Sequence, residues 1–417
     1  SARSAARGAQ APVRLEAVPA KAPGSGPTRA RAPKMQLEFQ LLALATLALV
    51  AFGLVMVFSS TSATATLGGG SASAFLVRQA VYALAGLGAM IALTRFDYRK
   101  LRPLAPSLLM ASLGLCLAVF AVGSQVNGAR RWISFGPIGL QPSELVKLAL
   151  ALWIPARLIR RSRPQTMGEL AKPVGLMVVI ACGMIAAEPD LGTVTSILVM
   201  VAAALLVSGV SLGLIARAYA LVGALGMIFI MSEPYQRARL TAFLHPMASS
   251  QDSGYQGMQS LIGLGSGGVF GRGLGQGVQK IHFLPEAHTD MIASVVGEEL
   301  GLIGIALLIA FYAVFVWAGL RIALACRDPF GKTVAASLTA LISGQAAINL
   351  AAVFGLVPLT GITLPFVSYG GSSLVVSLMA VGILLNIAVN HGKTATTEVP
   401  DRRRRNGRTS HARARRR

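Results

Sequence analysis

From about residue 38 to residue 391 the chain alternates between long apolar runs and short polar breaks. A helix needs about 20 apolar residues to cross the hydrocarbon core of a bilayer. Ten runs approach that length, at roughly 38–58, 75–94, 104–123, 141–159, 173–187, 191–208, 211–231, 290–324, 333–357 and 370–391. The fifth and sixth are short and separated only by "EPD", which suits two tilted helices or a broken hairpin. The pattern predicts an all-α polytopic membrane protein with about ten transmembrane helices and a large loop at 232–289, between the seventh and eighth. Loops of that length in a compact domain usually carry function. The runs do not group into the two matching halves of many transporters.

The polar breaks set the orientation. Arg95, Arg99, Lys100 and Arg102 follow the second run, Arg157, Arg160, Arg161, Arg163 and Lys172 the fourth, and Arg321, Arg327 and Lys332 separate the eighth from the ninth. Threaded alternately, all of these fall on one side. The break after the first run, "STSATATLGGGSASA", has no basic residue. The positive-inside rule predicts cytoplasmic termini and an extracytoplasmic 232–289 loop. Arg237, Arg239, Arg272 and Lys280 in that loop run against this bias, which points to a need for positive charge there.

Composition narrows the class further. A chain that is 54% hydrophobic and 13% charged is too apolar for an ordinary soluble domain. The net charge of +22 is concentrated at the ends, with ten basic residues after Asn390 and seven before Met35. These segments lack apolar periodicity, so 1–36 and 393–417 read as disordered cytoplasmic tails facing anionic membrane lipids, not nucleic acid. Residues 1–36 hold no apolar core of a secretory signal. Cys116, Cys182 and Cys326 have neither metal-ligand nor disulfide-framework spacing.

Four polar stretches interrupt the pattern. The first is "FLPEAHTDMIASVVGEELGLIG", 283–304. Thr289 or Asp290 can cap the following helix. Alternatively, Asp290 is a carboxylate at a partly dry boundary, able to act as a base. Ser294, Gly297 and Gly301 share its helix face and leave room for a ligand or a neighbouring helix. Glu298 and Glu299 are expected more than two turns deeper, held by ion pairs. The second stretch is "NGARRWISFGPIGLQPSELVKLAL", 127–150, where Pro142 and Ser143 suit a first helical turn. Glu144 and Lys147 either satisfy each other at i, i+3 or present Lys147 to an anionic head group. Arg130 and Arg131 flank this helix, beside a possible interfacial anchor in Trp132.

The third stretch, "GLGSGGVFGRGLGQG" at 263–277, contains GxGxxG without the preceding strand a dinucleotide site needs. It reads as a flexible loop whose amides approach an anion, with Arg272 and Lys280 nearby. The fourth, "GLVPLTGITLPFVSYGGSSL" at 355–374, reads as a turn. Its Ser368, Tyr369, Ser372 and Ser373 serve either as caps or as hydrogen-bonding groups at a site. No GxSxG, HExxH, Walker or zinc pattern occurs. An anionic, membrane-held substrate with a hydroxyl to activate fits the set.

In order, "RWISFGPIGLQPSELVK", "EPDLGT", "GYQGMQSLIGLGSGGVFGRGLG", "LPEAHTD", "GEELG" and "GITLPFVSYGGSS" resemble the landmarks of the SEDS family of bacterial cell-wall proteins (shape, elongation, division and sporulation), over about Gln36 to Gly392. "VQKIHFLPEAHTD" and "GITLPFVSYGG" are closer to the division member than to the elongation member. The resemblance implies a peptidoglycan glycosyltransferase that polymerises lipid II at the outer face of the bacterial cytoplasmic membrane, at the septum. It implies Asp290 as the catalytic carboxylate, with Glu144 and Lys147 lining its cavity. Arg130, Arg131, Lys280, Arg272, Glu286, His288, Ser368 and Ser372 complete the substrate-binding candidates, with Lys147, Arg131 and Lys280 as cations for the departing pyrophosphate. The implied partners are a class B penicillin-binding protein transpeptidase and other divisome membrane proteins. No cofactor is required, and a divalent cation, Mg or Mn, is compatible. Many members have an aromatic wall after the motif aspartate, whereas this chain has "TDMIAS". A lipid II flippase and a non-catalytic scaffold are the competing readings, and within the family the alternative is an elongation-type or sporulation polymerase.

Overall fold

The computed structural model describes residues 35–68, 72–126, 129–136, 138–160, 164–245, 253–281 and 283–390. Apart from Met35 and Gln36, the tails lie outside these residues. The described chain is a helical bundle. Its first three long helices are α1 (Gln36–Gly68), α2 (Ala72–Arg95) and α3 (Leu101–Val122). Then come three short strands, β1 (Ser124–Val126), β2 (Ala129–Phe135) and β3 (Ile138–Leu140), and α4 (Pro142–Leu158). The short α5 (Met167–Leu170) runs through a wider turn into α6 (Leu176–Ala187), followed by α7 (Leu191–Val207) and α8 (Leu212–Ser232). The long loop holds α9 (Pro234–Leu244) and α10 (Ser253–Gly267). The last three are α11 (Ile292–Ala325), α12 (Pro329–Val353) and α13 (Gly371–Asn390). Among the described residues, eight helical segments are long and apolar enough to cross a membrane. α4 and α7, at 17 residues each, reach the lower limit of a spanning helix.

Small residues set the packing, as expected where lipid tails remove the hydrophobic drive between helices. A Cβ on Gly382 of α13 would come within 2.6 Å of the Met90 carbonyl of α2, and one on Gly86 within 2.6 Å of Leu378. Polar bonds fix the register of the same pair: Asn386 donates to the Thr94 carbonyl (2.7 Å) and accepts from the Tyr98 amide (3.0 Å). The sheet was not anticipated. β2 pairs antiparallel with both neighbours, and Gly136 turns the chain between β2 and β3 at φ 62°. β1 and β3, at three residues each, are too short to alternate, and the seven residues of β2, ARRWISF, lack the strict apolar–polar alternation of a half-buried strand.

The eighth apolar run is not one straight span. Gly301 has φ 63° and ψ −159°, which breaks α11 into 292–300 and 302–325. A Cβ on Gly297 would lie 3.6 Å from Ile305, whereas eight residues along an unbroken helix rise about 12 Å. The two halves therefore fold back on each other. α1 runs antiparallel to the second half, with Glu38 pairing with Arg321 at one end (3.5 Å) and Ser59 donating to Glu299 near the other (2.6 Å). Gly319 packs against Thr339 of α12. From Gly319 to Gly301 the helix climbs about 27 Å, and from Thr339 to Asn349 about 15 Å. The Asn349 amide donates to the Asp290 carbonyl (2.8 Å). Asp290 is thus sunk about 12 Å into the bundle below Gly301.

This reverses the expected depths: Glu298 and Glu299 lie nearer the rim than Asp290. The reason is the backbone reversal at Gly301, which a hydropathy run does not register. α10 runs alongside 292–300 in the same direction, with Gly263 against Ser294 and Gly267 against Gly297. The glycines thus make room for a helix, not a ligand.

The glycine-rich stretch is not a loop throughout. Its first part, up to Gly267, is helical. The turn after it does bring amides to anions, but the anions are the protein's own. Val278 and Gln279 donate to the Glu298 carboxylate (2.8 and 3.1 Å), and Gly275 donates to that of Glu299 (3.1 Å). Lys280 is buried and pairs with Glu299 (2.6 Å), and Arg272 lies 3.7 Å from Glu298. The expected ion pairing of the two glutamates is present.

Candidate active site

A cavity of about 440 Å³ opens at the end of the bundle that carries the long loop. Asp290, Glu286, His288 and Thr289 reach it from the segment before α11, Glu144 from α4, and Gln345 from α12. Arg131 comes from β2, Asp190 and Thr193 from the start of α7, and Tyr235 and Arg239 from α9. Gly361, Thr363, Tyr369 and Ser373 belong to the turn before α13 and its first residues.

Asp290 does not cap a helix. α11 begins at Ile292, after Met291, without a side-chain cap bond. Among the described residues, the Asp290 carboxylate accepts a long bond from the Thr289 hydroxyl (3.4 Å). It is 9% exposed. Burial, and then the charge of Glu286, push its pKa from 3.8 to about 7, against the opposing pull of Arg239. The supporting backbone is held from two sides. Asn349 bonds the Asp290 carbonyl, and the Tyr369 amide donates to the His288 carbonyl (2.9 Å). Glu286 adopts φ 54°, a left-handed conformation that costs a non-glycine residue energy, and its carboxylate accepts from Thr289 (2.8 Å). The His288 ring packs edge-on against Phe75 and beside Tyr369, and burial lowers its pKa.

Two arginines line the cavity. Arg131 donates to the carbonyls of Glu188 and Pro189 (2.7 Å each), at the negative end of α6. Arg239 stacks on Tyr235 (4.8 Å to the ring centre) and donates to the Leu359 carbonyl (3.2 Å). Between them Asp190 caps α7, accepting from the Thr193 amide (3.0 Å) and hydroxyl (2.8 Å). Burial, with help from Asp190, lifts Glu188 to about 8 against the pull of Arg131.

Glu144 faces the cavity, but Lys147 lies behind it. Lys147 pairs with Glu144 (2.8 Å) and donates to Gln345 (2.8 Å), which in turn donates to the Thr363 carbonyl (2.9 Å). This buried chain ties α4 to α12 and to the turn before α13. Lys147→Met leaves the Glu144 carboxylate buried without its cation, and removing one partner of a buried pair costs about 3–5 kcal/mol. A lower thermal midpoint of the detergent-solubilised protein is expected, largely recovered by adding Glu144→Gln.

The structure therefore brings Asp290, Glu286, His288, Glu144 and Arg131 together. Lys147, Lys280, Arg272, Arg130, Ser368 and Ser372 lie outside the lining. Arg130 is exposed and bonds the Phe120 carbonyl (3.3 Å). Ser368 accepts from the Leu364 amide (2.8 Å). Ser372 clasps β3 to α13, donating to the Gly139 carbonyl (2.9 Å) and accepting from the Gln141 amide (3.1 Å). Sequence reasoning missed Arg239, Asp190, Gln345 and Asn349 as site residues. Gln345 and Asn349, one turn apart in an otherwise apolar run, are the kind of buried amides that mark a site. Among the described residues, no three His, Cys, Asp or Glu side chains gather closely enough to hold a metal ion.

A polytopic helical membrane protein with a polar cavity built around one sunken carboxylate is the class that fold and site define. The chain belongs to the FtsW/RodA/SpoVE family of cell cycle proteins, whose profile matches residues 39–393. It is 40% identical over 317 residues to a probable peptidoglycan glycosyltransferase FtsW of Geobacter metallireducens, covering 75% of this chain and 84% of that one. It is also 40% identical over 323 residues to the stage V sporulation protein E of Bacillus subtilis, covering 75% and 87%. Among solved structures it resembles a chain of a peptidoglycan synthase complex that coordinates polymerisation and crosslinking (TM-score 0.70, 29% identity, 85% of this chain and 98% of that one). It also resembles the rod shape determining protein RodA of Thermus thermophilus (TM-score 0.62, 28% identity, 85% and 97%).

Proposed function

We propose that the chain polymerises lipid II into β-1,4-linked glycan at the outer face of the cytoplasmic membrane, with Asp290 as general base. The observation that carries this reading is a buried carboxylate, Asp290, weakly bonded by Thr289 and lining a cavity that also presents Arg131 and Arg239. Asp290 takes the proton of the acceptor sugar 4-hydroxyl. The freed oxygen attacks the donor anomeric carbon, the bond to the lipid pyrophosphate breaks, and the configuration inverts. A base is most effective when its pKa lies near the working pH. Arg131 and Arg239 stabilise the charge that builds on the pyrophosphate. Arg131 is one of the cations the resemblance implies; Arg239 takes the place of Lys280 and Lys147, because Lys280 is committed to Glu299 and Ser59 and Lys147 to Glu144 and Gln345. Glu144 orients the acceptor, held by Lys147, which Gln345 anchors in turn.

The basic residues near Arg99, Arg157 and Arg321 support cytoplasmic termini and a cavity on the outer face. A class B penicillin-binding protein transpeptidase is the proposed partner, as the likeness to a synthase complex supports. The FtsW names of the relatives support action at the septum.

The test is lipid II polymerisation by the purified chain with its transpeptidase across pH. The base works only when ionised, so the initial rate should rise as pH passes through about 7 and level off above it. A rate that stays flat from acid to alkaline pH, with the protein folded throughout, removes Asp290 as the base. Absence of polymer at any pH, with lipid II crossing liposome membranes, makes the chain a flippase.

A further inference from the structure

The turn after α10 carries an exposed apolar surface at the rim of the cavity end. Phe270 is 81% exposed, and Val269, Leu274, Val278 and Ile281 are exposed too. The backbone of the same turn is bonded inward. The Gly268 and Val269 carbonyls accept from the amides of Leu302 and Ile303 (3.0 and 3.3 Å), and the Arg272 and Gly273 amides donate to the carbonyls of Glu298 and Glu299 (3.0 and 2.9 Å). Further amides end on the two glutamate carboxylates. Water can satisfy the amides of an exposed loop, whereas beside hydrocarbon their partners must come from the protein itself.

Depth agrees with this. The Glu38–Arg321 pair marks the basic end of the bundle, and the helix from Arg321 to Gly301 is about 30 Å long, the thickness of a hydrocarbon core. Leu302 and Ile303 are exposed on a spanning helix, so they face lipid. The turn is bonded directly to them, and Val269 and Phe270 extend that lipid-facing surface. Arg272, 43% exposed in its side chain, supplies the cation common among interfacial apolar groups.

We propose that residues 268–281 are an interfacial anchor whose apolar side chains seat at the boundary between acyl chains and lipid headgroups. The anchor fixes how deep the bundle sits and holds Asp290 about 12 Å below that boundary. On the reaction proposed above, the substrate's sugars and pyrophosphate are drawn from the headgroup layer down into the cavity. The anchor itself does not depend on that reaction.

The test uses the full chain with Cys116, Cys182 and Cys326 replaced by alanine, in nanodiscs of phosphatidylethanolamine and phosphatidylglycerol. Spin labels are placed singly at Phe270→Cys and Leu274→Cys, with Ile303→Cys as the lipid reference and Arg130→Cys as the water reference. Both test positions are exposed, so neither label disturbs the core, and either one suffices if the other variant fails to fold. Collisions with oxygen should dominate at 270 and 274, as at 303. Collisions with a water-soluble nickel chelate matching those at 130 would overturn the anchor. Nickel access in the chain alone that disappears only when a class B transpeptidase is added would also overturn it, by showing a protein docking surface.

Discussion

Asp290→Asn is expected to stop glycan synthesis while leaving the protein folded. Loss of a general base costs about 10²–10⁴-fold in rate, which takes polymerisation of lipid II below detection in a gel assay. The variant should fold because, among the described residues, no hydrogen bond joins the carboxylate to another element of the bundle. It does not cap α11, and the bond that anchors the segment is made by the Asp290 carbonyl, which asparagine retains. Stability should rise slightly. The folded pKa lies near 7, above the ordinary 3.8, so ionisation opposes folding. That penalty is absent below about pH 4, grows as pH rises, and is complete above about pH 7. Thermal midpoints of variant and parent should therefore converge at acid pH and separate in the variant's favour at pH 8. A variant that is folded and polymerises at the parent's rate would falsify the assignment. A variant that unfolds would show instead that Asp290 is structural.

Gly301→Val is expected to be the most damaging single change to the fold. The residue adopts a φ, ψ combination that is essentially limited to glycine, and forcing another residue there costs about 1–3 kcal/mol. A Cβ would also meet the Gly271 amide nitrogen and come within 2.5 Å of the Val269 carbonyl oxygen, both backbone atoms. The reversal at Gly301 carries the chain from the rim turn to the spanning half of α11 and lets 292–300 run beside it. Without it the Glu298 and Glu299 contacts to 272–280 cannot form, and Asp290 loses its depth. The expected readout is a collapse in folded yield by size-exclusion chromatography, with little recovered activity. Gly223→Val, on α8 where a Cβ meets open space, is the control and should be tolerated.

Much of this protein is legible in its sequence. Ten apolar runs correspond to α1–α4, α5 with α6, α7, α8 and α11–α13, because backbone polar groups in a bilayer must be satisfied within a helix. The break "EPD" was recognised, and its role as the end of α6 and the cap of α7 follows from an aspartate beside a helix start. Asp290, Glu286, His288, Glu144 and Arg131 were picked as site residues from polar chemistry in apolar surroundings and from family likeness, and the fold gathers them at one cavity. The pairing of Glu298 and Glu299 was also expected.

What tertiary structure alone decided is where those groups lie in depth and who partners whom. Sequence spacing placed Glu298 and Glu299 below Asp290, because a run of apolar residues reads as a single helix. One glycine reversed the order, and a single residue's backbone angles leave no trace in a periodicity of many residues. Lys280 and Arg272 read as cations for a ligand. Whether a cation faces a cavity or a glutamate 19 residues along, as Lys280 does, depends on how the loop folds back. The same holds for Arg239, Gln345 and Asn349, which lie far from Asp290 in sequence and meet its neighbourhood only when α9 and α12 pack around it. Hydropathy determined that the chain spans a membrane, because transfer of apolar surface is a local, additive property of residues. The site depended on long-range packing, which is neither local nor additive.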